Sequence, residues 1–221
     1  MKPTTTRRQR ERKARRQLIL DAAKAAFAER GFQNTTVEGI ANRAELAVGT
    51  LYRYFQSKEE IYVSLLFAAM DLFRQNIEAT QASGAPPDEQ LRGVWRFFYD
   101  FYVEQPESYL AFVFLHNEGL RDVISAEVLA EINQRADENF RLVGEIFQVG
   151  VEAGIYRPVD SRGVVDVLWS LLMGLVQLTE TRRNLGITGG RPLETLHHEA
   201  LTWIELGLRD QQKLVTSQSP K

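Results

Sequence analysis

Apolar residues along the chain recur at spacings of three and four, the signature of helices with one buried face, and no segment shows strand alternation closed by hairpin turns. The pattern predicts an all-α protein. A first helix, from about Arg16 to Arg30, sets Leu18, Ile19, Ala22, Ala23, Ala26 and Phe27 on one face and stops at Gly31, a residue suited to a helix C-terminus. Thr35 and Thr36 can cap a second helix carrying Val37, Ile40, Ala41 and Ala44. Glu45, Leu46 and Ala47 fill a tight turn, and a short third helix starts at Val48 with Val48, Leu51 and Phe55 inward. Ser57 with Glu60 three residues later forms a capping box, so the next helix begins at Lys58. It runs through Ile61, Leu65, Leu66, Met70 and Phe73 to about Thr80, close to the break at Ser83, Gly84, Pro86 and Pro87.

Two short helices joined by a three-residue turn make a helix-turn-helix, and the outward face of the second one has the chemistry of a DNA reader. Gly49 and Thr50 are small enough to let the backbone approach a groove floor, while Tyr52, Arg53 and Tyr54 offer phosphate and base-edge partners. Thr36, Val48 and Lys58 complete the candidate DNA-binding set. Lys58 stands at a helix N-terminus, where a cation opposes the macrodipole, so an anion such as a backbone phosphate is expected beside it. The charge distribution agrees: residues 1–60 carry a net +6 and the remainder −8, within a whole-chain charge of −2. The densest basic run is Arg7, Arg8, Arg10, Arg12, Lys13, Arg15 and Arg16. It is expected to be a disordered arm that lies along phosphates or enters a minor groove, with a solvated tail as the alternative.

From about Leu18 to Tyr62 these residues resemble the DNA-binding domain of the tetracycline-repressor (TetR) family of bacterial transcription regulators. The resemblance rests on Gly49, Thr50, Leu51 and Tyr52, on Tyr54 and Phe55, and on the run Ser57, Lys58, Glu59. There are three departures: Glu45 stands where the family commonly has a turn glycine, Ala47 where a serine often caps the recognition helix, and Val48 where a polar or basic residue is frequent. The resemblance implies a three-helix DNA-binding domain, residues 1–57, joined by a long helix to a helical effector-binding and dimerisation domain, residues 58–221.

The body is rich in aromatics, with nine between positions 95 and 114. Core packing is the usual meaning of such stripes. The runs FFYDFY and YLAFVF, however, put rings on more than one face of each helix, which asks for more apolar surface than one helix contact provides. A lined pocket is the expectation, with Trp95, Phe98, Phe101, Tyr102, Tyr109, Phe112, His116, Phe140, Phe147 and Trp169 as candidate ligand-binding residues. Low polarity favours a hydrophobic ligand, and a weak resemblance of the body to fatty-acid-responsive members of the family implies a fatty acyl-CoA.

Further helical stretches run from Arg121 to about Gly154, from Ser161 to Arg183 and from Pro192 to about Lys213. The second of these is apolar nearly all round, which requires burial on all sides. A four-helix interface with a second copy supplies it, with Trp169, Leu172, Met173, Val176, Leu196, Trp203 and Leu206 as candidate interface residues. Burial within one subunit is the alternative.

Other classes find little support. The adjacent His197 and His198 point about 100° apart on a helix and make a poor metal pair, and no phosphate-cradling loop, nucleophile elbow or HExxH run is present. No cofactor is implied. The 221 residues, 44% hydrophobic and 25% charged, suffice for one large or two small domains; there is no cysteine, and no unbroken apolar run approaches a membrane span. The expectation is a cytoplasmic, homodimeric, ligand-responsive transcription regulator, most simply a repressor released from a pseudo-palindromic DNA operator by a small hydrophobic effector. The rival readings are a ligand-binding or scaffolding protein without sequence-specific DNA binding, and a small-molecule enzyme using the aromatic pocket.

Overall fold

A computed structural model of the chain describes residues 4–115 and 118–209, and every regular element among them is helical. The elements are α1 (Thr4–Asn34), α2 (Val37–Arg43), α3 (Val48–Leu51), α4 (Lys58–Ser64), α5 (Leu66–Ala82), α6 (Pro87–Glu104), α7 (Pro106–Phe114), α8 (Leu120–Val123), α9 (Ala126–Glu152), α10 (Ser161–Asn184) and α11 (Leu193–Leu208). They fall into two compact units. Among the described residues, one comprises 4–69 and the stretch 105–134, the other 70–104 and 135–209.

In the first unit, Ile19, Ala23, Ile40, Ala41, Leu51, Phe55, Ile61 and Val63 are almost fully buried and form the core around which α1 to α4 pack. Phe27, Phe32, Tyr62 and Phe114 add a ring cluster with centroid separations of 4.6–5.7 Å, so α7 docks on the helix-turn-helix through Phe114. The basic arm is helical rather than disordered: α1 starts at Thr4. Its Arg, Lys, Glu, Gln and Ala residues are good helix formers, and Arg7 pairs with Glu11 one turn on at 2.8 Å. Regular helix is interrupted at Gly31 (φ 72°, ψ 166°), the predicted stop.

The second unit is organised around Phe73, Ile77, Leu91, Trp95, Phe98, Ile146, Phe147, Tyr156, Leu168 and Leu172, drawn from α5, α6, α9, α10 and the turn after α9. Tyr156 stacks on Phe147 at 4.9 Å and lies so close over Gly150 that a Cβ there would meet its ring at 2.5 Å. Three boundaries differ from expectation. The helix begun at Lys58 is broken at Leu65, whose N–H bonds back only three residues to Tyr62; the stretch from Arg121 is divided by the extended Ile124; and the last helix ends at Leu208, because Arg209 is extended and its neighbourhood pairs with Tyr156 and Arg157. Although no unbroken apolar run is that long, α10 as a whole has the length and hydropathy of a membrane span. Val165, Leu168, Leu172 and Val176 nevertheless bury one side of it, and four of its five charges are paired, Asp166 with Arg162 and Glu180 with Arg183.

Candidate functional site: a DNA-reading face and an apolar cavity

The turn of the helix-turn-helix is built by Glu45, the one described residue other than glycine with positive φ (55°). Its left-handed backbone lets Leu46 N–H return to the Ala41 carbonyl at 2.9 Å and aims the chain into α3. Ala47 precedes α3 without a capping side chain. Regular α-helix spans only Val48–Leu51, and the segment continues through Tyr54 as tighter turns in which Arg53 and Tyr54 donate to the carbonyls three residues before them. Leu51 and Phe55 are buried and Val48 is half-buried, which leaves Gly49, Tyr52 and Arg53 exposed beside the half-exposed Thr50 and Tyr54. Arg53 is steadied by a 3.3 Å bond to Thr50 Oγ1. Nothing in the protein lies within 4 Å of where a Gly49 Cβ would be, so the fold itself does not require glycine there. Thr36 caps α2, its hydroxyl accepting from the Gly39 N–H at 3.0 Å.

Lys58 needs no anion to explain its position. Its ammonium donates to the Phe32 and Thr35 carbonyls at 2.9 and 3.0 Å and lies 4.2 Å from the centre of the Phe32 ring. The N-terminus of α4 is also the carbonyl end of α1, where a cation is favourable. Behind it, the buried Glu60 carboxylate accepts from Gln56 N–H (3.0 Å), Ser125 Oγ–H (2.8 Å) and Ser125 N–H (3.3 Å), and Ser57 Oγ–H donates to the Val123 carbonyl at 2.6 Å. Ser125 in turn accepts from Val128 N–H, so the start of α9 is tied to the helix that follows the DNA-reading segment. Arg16, counted above with the basic arm, turns inward: its guanidinium lies over Phe55 and Phe67 at 5.0 and 5.2 Å and donates to Ser64 Oγ.

The second unit holds a small cavity of about 30 Å³, lined by Phe73, Leu91, Val94, Trp95, Phe98, Phe140, Val143, Val165, Leu168, Trp169 and Leu172. Four predicted ligand residues, Trp95, Phe98, Phe140 and Trp169, are in its wall. Phe98 and Phe140 meet Trp169 at 5.2 and 5.7 Å. The structure places the others elsewhere. Phe101 is buried away from the lining, Tyr102 donates to the buried Glu180, and Phe147 is locked under Tyr156. Tyr109 and Phe112 belong to the first unit, because the chain leaves the second one ahead of Pro106, and His116 lies outside the described residues. The aliphatic walls Leu91, Val94, Val143, Val165 and Leu168 were not anticipated, since an aliphatic residue on a helix carries no signal that separates a cavity wall from core.

Trp95 also anchors the cavity to α11. Its indole donates to the His197 carbonyl at 2.9 Å, the His197 ring nitrogen bonds the Trp95 carbonyl at 2.9 Å, and the two rings stack at 4.9 Å. Burial pushes the His197 pKa down to about 4, so the imidazole is neutral near neutral pH. Of the predicted interface residues, Leu172 and Val176 are buried in this subunit's own core, while Trp169, Met173 and Leu196 are half-buried. Trp203 and Leu206 are exposed at 68% and 60%, together with Val167 and Leu178 on α10. The unpartnered face of α10 is thus rotated from the one expected, since the side carrying Leu172 and Val176 faces inward.

Comparison with known proteins agrees with this geometry. The family model for bacterial regulatory proteins of the tetR family matches residues 19–65, which span the helix-turn-helix. Over 145 residues the chain is 32% identical to the HTH-type transcriptional repressor KstR2 of Mycobacterium tuberculosis, covering 66% of this chain and 70% of that protein. In fold it is similar to the fatty acid degradation regulator FadR of Bacillus halodurans, with a TM-score of 0.68 at 22% identity, covering 88% of this chain and 96% of that one. FadR of Bacillus subtilis, solved in complex with stearoyl-CoA, gives a TM-score of 0.68 at 22% identity over 87% and 99% of the two chains. Helix-turn-helix, helical body and relatives together place the chain in the tetR family of bacterial regulatory proteins, as a DNA-binding transcriptional regulator rather than an enzyme.

Proposed function

We propose that the protein is a cytoplasmic repressor that binds a pseudo-palindromic operator as a homodimer and is released by a hydrophobic small molecule of the fatty acyl-CoA kind. The observation that carries the effector is the cavity lining, which is entirely apolar and aromatic; at about 30 Å³ the cavity is well below the roughly 300–1,000 Å³ of ligand pockets, so an acyl chain enters only as the helices around it move apart. The FadR likeness, with stearoyl-CoA bound in one of those structures, supports an acyl chain as the occupant. Repression is supported by KstR2, a repressor by name. Residues 1–57 act as the DNA-binding domain, through Thr36, Val48, Gly49, Thr50, Tyr52, Arg53 and Tyr54, and residues 58–221 as the effector and dimerisation domain, whose first residue, Lys58, braces the reading head through the Phe32 and Thr35 carbonyls. Dimerisation uses the exposed Val167, Leu178, Trp203 and Leu206 of α10 and α11, an apolar set that water does not favour.

Release follows from the helices that line the cavity. Phe73 is on α5 and Phe140 and Val143 are on α9, and both helices have their first residues in the unit that holds the helix-turn-helix. An effector that fits only an altered setting of these helices shifts the population toward heads that no longer match two successive major grooves. The test is selection of fragments from sheared genomic DNA by the purified protein, with and without stearoyl-CoA. Enriched palindromes that are lost on adding it support the reading, and enrichment of no particular sequence overturns it.

A further inference from the structure

Arg8, Arg12 and Arg15 are spaced by four and three residues on α1, so they share one face of the helix. That face forms one wall of an open groove whose opposite wall is Arg53 and Tyr54, from the end of the DNA-reading segment. Glu11 is the acidic residue in this groove, and its carboxylate is already paired with Arg7 at 2.8 Å. The groove is thus cationic on both walls. An arginine ladder from position 8 to 15 extends roughly 10 Å at 1.5 Å per residue. Phosphates of one DNA strand advance about 3.4 Å along the duplex axis, so the ladder matches about three of them.

We propose that this groove is a second DNA contact, which takes the sugar-phosphate backbone flanking the bases read from Gly49, Thr50 and Tyr52. Its ligand is duplex backbone, and it supplies affinity without sequence preference, because guanidinium groups facing phosphates carry no base information. Arg53 stands in both sites, tied to Thr50 on one side and lining the groove on the other. The inference rests on the DNA-binding reading above and adds a contact that a helix-turn-helix alone does not provide.

The experiment is a salt titration of binding to a 40-base-pair duplex of random sequence, for the full chain and for the triple variant Arg8→Gln, Arg12→Gln, Arg15→Gln. Loss of three phosphate contacts per subunit lowers the slope of log affinity against log salt by about 0.9 for each contact. A control variant that removes three exposed arginines of the second unit, Arg96→Gln, Arg141→Gln and Arg157→Gln, changes the net charge equally and is expected to leave the slope in place. An unchanged slope in the triple arm variant overturns the proposal, as does an equal fall in the control. Genomic fragments enriched by the arm variant are expected to be the same as those of the unmodified protein; a changed set means the arm reads bases and overturns the backbone assignment. Absence of DNA binding by the unmodified protein would instead fail the DNA-binding reading itself.

Discussion

Glu45 holds a left-handed backbone at φ 55°, a conformation that costs a residue with a Cβ about 1 kcal/mol or more. Glu45→Gly is therefore expected to raise stability by about 1 kcal/mol in chemical denaturation, with no change in DNA sequence preference. Gly49→Ala is the complementary case. No protein atom obstructs a Cβ there and alanine favours helix, so folding is expected to be unchanged or slightly firmer while DNA affinity falls at least tenfold in an anisotropy titration; unchanged affinity would remove Gly49 from the reading face. His197 gives a pH prediction. Its folded pKa, about 4, lies below the ordinary 6.5, so the unfolded chain binds the extra proton between those values. The stabilisation is complete above pH 6.5 and is lost as pH falls toward 4, by up to about 3 kcal/mol, and the acid-side drop in melting temperature is expected to shrink in His197→Gln. The departures at Glu45 and Ala47 were legible from the chain, because turn and cap rules act over a few neighbours. The anchor of Lys58 was not, since its carbonyl partners are 23 and 26 residues away and nothing local marks them.

Periodicity revealed the helices, but their limits were set by distant packing. Leu65 and Ile124 carry no proline or glycine, and the breaks there reflect where α4, α8 and α9 meet other elements rather than any local signal. Pro106 opens α7, yet the docking of that helix on the helix-turn-helix through Phe114 depends on rings far apart in sequence. The same holds for the tie between Glu60 and Ser125, which joins two elements 65 residues apart. It gives α4 and the start of α9 a shared anchor. Ser125→Ala removes the hydroxyl donor to a buried carboxylate and is expected to lower stability by about 1–3 kcal/mol. It is also expected to change the effector concentration needed for half-release of DNA at least threefold. If stability falls and that concentration stays fixed, the tie is structural only.

For the molecule as a whole, an all-helical regulator with a basic reading head and an apolar body was visible in the charge asymmetry and the aromatic runs, whereas the exact walls of the cavity and the outward stripe of α10 were not. Helical spacing says that two residues share a face but not whether that face meets a cavity, a core or a partner. The exposed Val167, Leu178, Trp203 and Leu206 predict a dimer in sedimentation, and Trp203→Asp with Leu206→Asp is expected to yield monomers that bind DNA at least a hundredfold more weakly. The central claim is that filling the cavity controls DNA reading. Its most direct test is release of a selected genomic fragment by stearoyl-CoA, comparing the unmodified protein with Val165→Phe, which places a ring in the cavity wall. Without effector the two proteins are expected to bind DNA equally; with it, the unmodified one is expected to be fully released and the filled variant to respond at least tenfold more weakly. Equal release of both would show that the effector acts outside the cavity and would contradict the account.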